Sequence, residues 1–337
     1  QPWQTWQQSA APSNRTNPVD YSGHRQQLQT LLQHLYDAFC TGACEAERSA
    51  YARFCHDGGI ALARYAHFEV LSADAGSDWR TWPDPYQSQT PPDLDRLPHP
   101  SPHHFHAWLQ WIAQDQVEAA QRRGRQAGLS LGLYLDLAVG SRRDGAEAWC
   151  EAEVVAQGVS VGAPPDHLSP AGQNWSIIGY APQNLAATDY AAWRGVLRQT
   201  MASAGMIRID HALGLKRSYW IPDDGAPGGY IQQPFEALMA LICIEASRAN
   251  TVVVGEDLGL VPKGFRTATH KRGLYSYSVL QYEQNDVGTI CSPDTLSTQS
   301  LVCFGTHDTP TLAGYREGRD IDWWEKLSWI TNKAANT

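Results

Sequence analysis

The sequence predicts an α/β fold, a (β/α)8 barrel with helix-rich insertions. Three short apolar runs, at residues 206–209, 251–255 and 301–305, have the length and residue types of buried strands. Each run is followed, directly or within three residues, by an acidic side chain, and helical patterns fill the intervals. Catalytic side chains of barrel enzymes collect at the carboxyl ends of different parallel strands. Strand–helix units that each end in an acid therefore favour a barrel over an open sheet.

The N-terminal residues 1–128 are predicted to form a helix-rich insertion or subdomain. A break is expected in the second helix near Gly58-Gly59. Ser101 as N-cap and Pro102 at the first helical position predict the start of another helix. The predicted elements, in order, are a loop over 1–20, helices over 21–39 and 45–63, a loop over 71–102 and a helix over 102–124.

Residues 129–337 are predicted to form a partial catalytic barrel. The loop over 162–183 is long for a compact domain, and loops of that length without periodicity are usually functional or disordered. Its aromatic and amide side chains favour a function. The other predicted elements are strands over 129–137, 205–209, 251–255, 277–282 and 301–305, and helices over 146–157, 190–204, 232–249 and 321–333.

Composition narrows the class of ligand. The net charge of −9 argues against nucleic acid or an anionic membrane as partner, and it suits a neutral ligand. The 13 tryptophans offer flat faces that stack on sugar rings, although most tryptophans in any protein are core. Seven cysteines without a regular framework favour a reducing compartment, and a cytoplasmic location is expected. No feature specifies an oligomeric state.

No cofactor or metal site is expected. His103, His104 and His106 resemble ligands, but a spacing of i, i+1 and i+3 does not place all three on one helix face. We expect them to begin a helix that packs Trp108 and Trp111 inward.

The chemistry starts from Asp210. Arg208 lies two residues earlier and therefore on the same face of the strand, which places a permanent cation beside the carboxylate and favours its ionised form. Such a carboxylate suits a glycosidic nucleophile, and a strand-end salt bridge explains this motif alone equally well. The other two strand-end acids, Glu256 and Asp308, favour glycosidic chemistry, which needs two carboxylates about 5–5.5 Å apart in retaining enzymes.

Five motifs in order along the chain carry a family resemblance. RIDH, GEDLG and THDTPT look like sequence regions of the α-amylase superfamily, and GLYLDLAVG and GAPPDHLSPAGQNW narrow this to the amylomaltases, the 4-α-glucanotransferases of glycoside hydrolase family 77. The resemblance implies a first barrel strand before this chain and a last one after it, so an internal fragment of a longer enzyme is expected. The motifs lie at 208–211, 255–259, 306–311, 132–140 and 162–175.

The resemblance also implies catalytic roles. Asp210 is expected to be the nucleophile, Glu256 the acid/base, and Asp308 a third carboxylate that binds sugar hydroxyls. Like charges across the cleft are expected to raise the pKa of Glu256 and keep it protonated. Asp257 is expected to point the other way along the strand and to be structural.

The expected substrate-binding residues lie around these acids. Within a predicted glucan-binding loop over 159–185, Trp175 could stack on glucose, and an amide side chain could both donate to and accept from paired hydroxyls. The alternative for His211 and His307 is a core histidine that is hydrogen-bonded to the backbone. The alternative for Asp136 is a cap of the following helix. The full set is Arg208, His211, His307, Asp136, Asp166, Gln173 and Trp175.

The expected reaction is transfer of α-1,4-glucan segments between maltooligosaccharides, starch or glycogen, with glucose as an acceptor, by a retaining double displacement. Transfer rests on the resemblance, because water and a sugar hydroxyl attack the same intermediate. The alternatives are an α-glucan hydrolase on the same barrel and a non-catalytic glucan-binding relative. A phosphate-binding barrel would need a glycine-rich loop near the last strands, which the sequence does not contain.

Overall fold

The structure, a computed structural model, describes residues 20–87, 90–165, 169, 171–285, 288–328 and 330. The chain divides into two compact units. The first unit consists of the chain up to Val117 together with Asp144–Cys150. The second consists of Glu118–Arg143 and the chain from Glu151 onward.

All regular secondary structure in the described part of the first unit is helical. Helix α2 continues past the predicted end at residue 63, and the chain breaks inside it at Gly59, where φ is 49° and ψ is −138°. The predicted loop over 71–102 is therefore wrong in part, because it contains the end of α2 and three short helical turns. The α-helices are α1 Tyr21–Gly42, α2 Glu45–Ala75, α3 Asp84–Gln87, α4 Pro102–Gln126, which continues into the second unit, and α5 Ala146–Cys150.

Aromatic side chains fill the core of the first unit. One cluster centres on Tyr36 and Trp108, and a second places Trp149, which is fully buried, against other rings. His104 is 2% exposed, and the hydroxyl of Tyr51 lies 2.9 Å from its Nδ1 atom. The predicted inward packing of Trp108 and Trp111 is confirmed, because Trp108 is buried and Trp111 packs against the same cluster.

The second unit holds nine strands among its described residues, with short helices between them. The strands are β1 Tyr134–Leu137, β2 Val159–Ala163, β3 Gln173–Ile177, β4 Met206–Ile209, β5 Arg217–Pro222, β6 Gly229–Gln232, β7 Val252–Gly255, β8 Ser276–Val279 and β9 Ser300–Cys303. The helices are α6 Pro182–Ala187, α7 Ala191–Met201, α8 Phe235–Ala249, α9 Phe265–His270, α10 Leu312–Arg316 and α11 Arg319–Lys326. The helix predicted over 146–157 is shorter, since α5 ends at Cys150.

The strands that contain or precede the predicted acids belong to an array of five parallel strands. β1, β4 and β7 form one sheet in that order, and β8 pairs with β9. A parallel bridge between Val254 and Tyr275 joins the two groups, which gives the order β1-β4-β7-β8-β9. The α/β class is therefore confirmed. Among the described strands no sheet closes on itself.

The register aligns the strand ends that matter. Leu137 pairs with Ile209, and Ile209 pairs with Gly255, so Asp210 and Glu256 follow their strands at the same edge. Burial of apolar side chains stabilises these strands, and Ile207 on β4 is fully buried. The close approach to β1 requires a glycine before β4, since a Cβ atom on Gly205 would lie 1.6 Å from the carbonyl oxygen of Leu131.

A four-stranded antiparallel sheet, in the order β3-β2-β5-β6, is the main departure from prediction. The sequence predicts an irregular loop over 162–183, whereas Gln173–Ile177 is strand β3 and the end of β2 also falls in that range. The reason is a long-range pairing: β2 bonds to β5, about 60 residues further along, with Gly162 opposite Tyr219. The predicted strand over 277–282 also ends early, at Val279, in a turn of 3-10 helix.

None of the helices in the described part of the chain combines the length and the apolar character needed to cross a membrane.

Candidate active site

Arg208 joins two carboxylates at the strand ends. Its Nη1 atom donates to both oxygens of Asp136, at 2.8 and 2.9 Å, and its Nη2 atom lies 2.5 Å from Oδ1 of Asp210. The arginine side chain is 7% exposed, whereas those of Asp136 and Asp210 are 48% and 27% exposed. The predicted contact between Arg208 and Asp210 is thus present, and Asp136 is held by the same guanidinium while its carboxylate remains open to solvent.

The guanidinium is held firmly in its charged form. Burial works against the charge, but the hydrogen bond that Arg208 donates to Asp136 and the negative charges of Asp210, Asp136 and Glu256 outweigh it and raise the pKa of Arg208. The guanidinium carbon also lies 5.5 Å from the centre of the Tyr277 ring.

Glu256 has the opposite environment. It is 8% exposed, and its two oxygens accept hydrogen bonds from main-chain N–H groups, Oε2 from His211 at 2.9 Å and Oε1 from Leu258 at 2.7 Å. Burial is the main cause that raises the pKa of Glu256, the N–H groups oppose it, and the charge of Asp210 adds to it. The predicted direction is confirmed, and its principal cause is burial rather than like charge.

Asp257 points away from the cleft, as predicted. Its side chain is 2% exposed; Oδ2 accepts from Nε of Arg266 at 2.6 Å, and Oδ1 accepts from the N–H of Tyr277 at 3.1 Å. This buried carboxylate therefore fastens the end of β7 to β8.

The antiparallel sheet brings two predicted residues to the turn after β4. The Trp175 ring meets the imidazole of His211 edge to face, with centroids 5.1 Å apart and an angle of 78°. The indole N–H donates to Oε1 of Gln173 at 3.1 Å. Burial lowers the pKa of His211, against the charge of Asp210. Gln173, Trp175 and His211 therefore belong to one group of side chains.

Asp308 and His307 are open to solvent. Their side chains are 68% and 70% exposed, and Nε2 of His307 lies 3.4 Å from Oδ2 of Asp308. Tyr282 follows β8. Desolvation is the main cause that raises the pKa of Tyr282, and the charges of Asp308 and Glu256 raise it further. Asp166 lies outside the described residues.

Comparison with known proteins identifies the family. The model of glycoside hydrolase family 77, described as 4-alpha-glucanotransferase, matches residues 3–335. The chain belongs to this family. A 4-alpha-glucanotransferase of Mycobacterium bovis is 39% identical over 84% of this chain, and one of Haemophilus influenzae is 33% identical over 95%. The crystal structure of an amylomaltase from Corynebacterium glutamicum superposes with a TM-score of 0.79 at 32% identity, over 92% of this chain.

The relatives are longer than this chain. It spans 40% of the Mycobacterium bovis relative, 48% of the Haemophilus influenzae relative and 43% of the Corynebacterium glutamicum structure. Membership of the family accounts for the order of the strand-end motifs.

Sequence reasoning missed two aromatic residues of the site. Tyr277 lies under Arg208, and Tyr282 is influenced by both Glu256 and Asp308. Both lie in the predicted strand over 277–282. The carboxyl ends of neighbouring parallel strands meet at one edge of a sheet, so this strand could have indicated them. Within the described residues, no group of three or more His, Cys, Asp or Glu has the arrangement of a metal site.

Proposed function

We propose that the protein transfers α-1,4-glucan segments by a retaining double displacement. One observation carries the proposal: Asp210 and Glu256 follow adjacent strands, and the amide that follows Asp210 donates to the Glu256 carboxylate. This contact supports a short separation of the two carboxyl groups, which retention requires.

In the first half-reaction Asp210 is the nucleophile. Its carboxylate attacks the anomeric carbon while Glu256 gives its proton to the departing glycosidic oxygen. Arg208 pairs with Asp210 and orients its carboxylate. The buried position of Glu256 favours its protonated form, as an acid requires.

In the second half-reaction Glu256 acts as base. Glu256 is ionised after the first half-reaction. Esterification removes the negative charge of Asp210, one of the causes that raise the pKa of Glu256, so Glu256 stays ionised and is ready to accept a proton. It then takes the proton of an incoming 4-hydroxyl, which attacks the anomeric carbon and releases Asp210. A sugar acceptor gives transfer and water gives hydrolysis.

The remaining site residues would bind the glucan. Asp308 and His307 are exposed, so their polar atoms are available to sugar hydroxyls. Trp175 and Gln173 approach from β3 and would contact the same chain of glucose units, with Asp166 on the preceding segment. Arg208, Asp136 and His211 would form the floor. Maltooligosaccharides, starch or glycogen would be donors, with glucose as an acceptor.

We also propose that the parallel strands belong to a (β/α)8 barrel, with residues 1–128 as its helix-rich insertion and 129–337 as its catalytic part. The order β1-β4-β7-β8-β9 of parallel strands supports this. The superposition on the amylomaltase structure from Corynebacterium glutamicum also supports it. The seven cysteines without a regular disulfide framework support a reducing compartment and a cytoplasmic location.

Product analysis tests the function. Incubation of the intact protein with maltotriose is expected to give glucose and a ladder of longer oligosaccharides while the total of reducing ends stays constant. A rise in reducing ends would assign hydrolysis instead, and unchanged maltotriose with measurable glucan binding would assign a binding role. Asp210→Asn is expected to lower kcat at least 1,000-fold, and Asp294→Asn, which changes an exposed acid of the same unit, is the matched control.

A further inference from the structure

The turn after Asp210 has a main-chain conformation that is uncommon for a residue with a side chain. His211 lies in the left-handed region, with φ 45° and ψ 51°. Histidine and asparagine enter this region more readily than most residues, glycine does so freely, and a β-branched residue there is a true outlier. A conformation of this kind persists only where the surrounding contacts determine it.

Main-chain hydrogen bonds explain the conformation. The N–H of His211 donates to Oε2 of Glu256 at 2.9 Å, and the next N–H, of Ala212, donates to the carbonyl oxygen of Glu256 at 2.8 Å. A left-handed residue lets successive N–H groups converge on one acceptor region. The N–H of Glu256 in turn donates to the carbonyl oxygen of Ile209 at 2.9 Å. The turn and Glu256 are therefore joined at three points.

We propose that His211 is a positioning residue that holds Glu256 beside Asp210 through its left-handed main chain, independently of its imidazole. The proposal rests on the proposed function only in that Glu256 and Asp210 are taken as acid/base and nucleophile. The segment from 209 to 212 fixes where the Glu256 carboxylate lies relative to the nucleophile, because Asp210 is one peptide away from the donating amide.

The groups that face Glu256 define the expected consequence. From β4 this is the Arg208 charge, from the turn after β4 these are the Asp210 charge and the His211 N–H, and from its own segment it is the Leu258 N–H. Tyr282 faces it from the segment after β8. The His211 N–H stabilises the carboxylate, so its loss leaves burial and Asp210 less opposed. The pKa of Glu256 then rises.

Four substitutions of His211 separate main chain from side chain. All four remove the imidazole, but Gly and Asn accept the left-handed conformation, Ala accepts it with strain, and Val does not. The basic limb of kcat/KM against pH reports the proton that Glu256 must carry. We expect this limb to move up by about one pH unit in His211→Val and by less in His211→Ala, since about 1.4 kcal/mol corresponds to one unit. The basic limb should lie at the same pH in His211→Gly as in His211→Asn.

A direct titration keeps the test independent of turnover. Side-chain carboxyl carbons of ¹³C-labelled glutamate can be followed by NMR in the intact protein, and the Glu256 signal is identified by its loss in Glu256→Gln. The Glu256 midpoint should rise in His211→Val and agree between His211→Gly and His211→Asn. If His211→Val does not fold, the comparison of His211→Ala with His211→Gly decides.

Two outcomes would overturn the proposal. One is the same Glu256 midpoint in the Val, Ala and Gly variants, even if the Val variant melts at a lower temperature. The other is an equal rise in all four variants, which would assign the effect to the imidazole. A wild-type protein that leaves maltotriose unchanged contradicts the proposed function alone, because the NMR midpoints can still be compared.

Discussion

Arg208→Lys should lower kcat, because one ammonium cannot replace a guanidinium that serves two carboxylates. Arg208 uses separate nitrogens for Asp136 and Asp210, with contacts of 2.5 to 2.9 Å. Lysine keeps the charge but offers a single nitrogen, so at most one of the two pairs keeps its geometry. The environment is nearly closed to water, since the side chain of Arg208 is 7% exposed, and water cannot fully replace the lost pair.

The magnitude follows from the contact that is lost. A hydrogen bond to a charged group contributes about 1.5–3 kcal/mol, which corresponds to about 10- to 100-fold in rate where Asp210 is left without its partner. Asp136 accepts two of the three bonds and would compete for the ammonium. Removing the charge of Asp136 should therefore return the lysine to Asp210.

The assay is a double-mutant cycle on maltotriose disproportionation, with kcat measured for wild type, Arg208→Lys, Asp136→Asn and the double variant. We expect the double variant to be faster than Arg208→Lys alone, even though Asp136→Asn by itself gives no gain. Multiplicative losses, with the double variant slower than either single variant, would refute the competition between the two carboxylates. Circular dichroism and urea unfolding of each variant check that the fold is kept.

Three further predictions concern other parts of the molecule. Glu256→Gln should nearly abolish use of maltotriose yet still react with α-maltosyl fluoride, whose leaving group needs little protonation, and azide should restore turnover; equal loss with both donors would place the acid elsewhere. Trp175→Ala should weaken maltooligosaccharide binding by about 1–3 kcal/mol in calorimetry, and unchanged affinity would make it a packing residue. His104 has its pKa lowered to about 4 by burial, so the folded state binds fewer protons than the unfolded state, and stability should fall as pH drops from about 6.5 towards 4. Urea unfolding of wild type and His104→Gln at pH 7, 6 and 5 checks this, and equal slopes in the two proteins would contradict it.

The parallel strands and their acids were predictable because each depends on a local pattern. The runs that end at Ile209, Gly255 and Cys303 are short, apolar and followed by acid, so their length and residue types find them. The antiparallel sheet was not predictable in the same way. Val161 pairs with Trp220, and neither segment contains a signal for a partner so far along the chain. Long-range pairing is a tertiary property, and the segment without it resembles a loop.

The cause of the Glu256 pKa also needed the structure. Acids at the ends of neighbouring strands suggest like charges that face one another, and Asp210 does contribute in that way. The degree of burial depends on what packs around the carboxyl group, which the sequence does not specify. Here the exposed fraction of 8% makes burial the larger cause.

The different surroundings of the two proposed catalytic carboxylates nevertheless have a simple origin in the sequence. Arg208 and Val254 are register partners on β4 and β7, and each lies two residues before its acid, on the same face of its strand. On β4 that position supplies a buried cation 2.5 Å from Asp210; on β7 it supplies a fully buried apolar side chain below Glu256. The same position in two neighbouring strands thus places a cation beside one acid and an apolar side chain beside the other. Arg-x-Asp beside Val-x-Glu, on adjacent parallel strands, therefore predicts the proposed roles of nucleophile and proton donor.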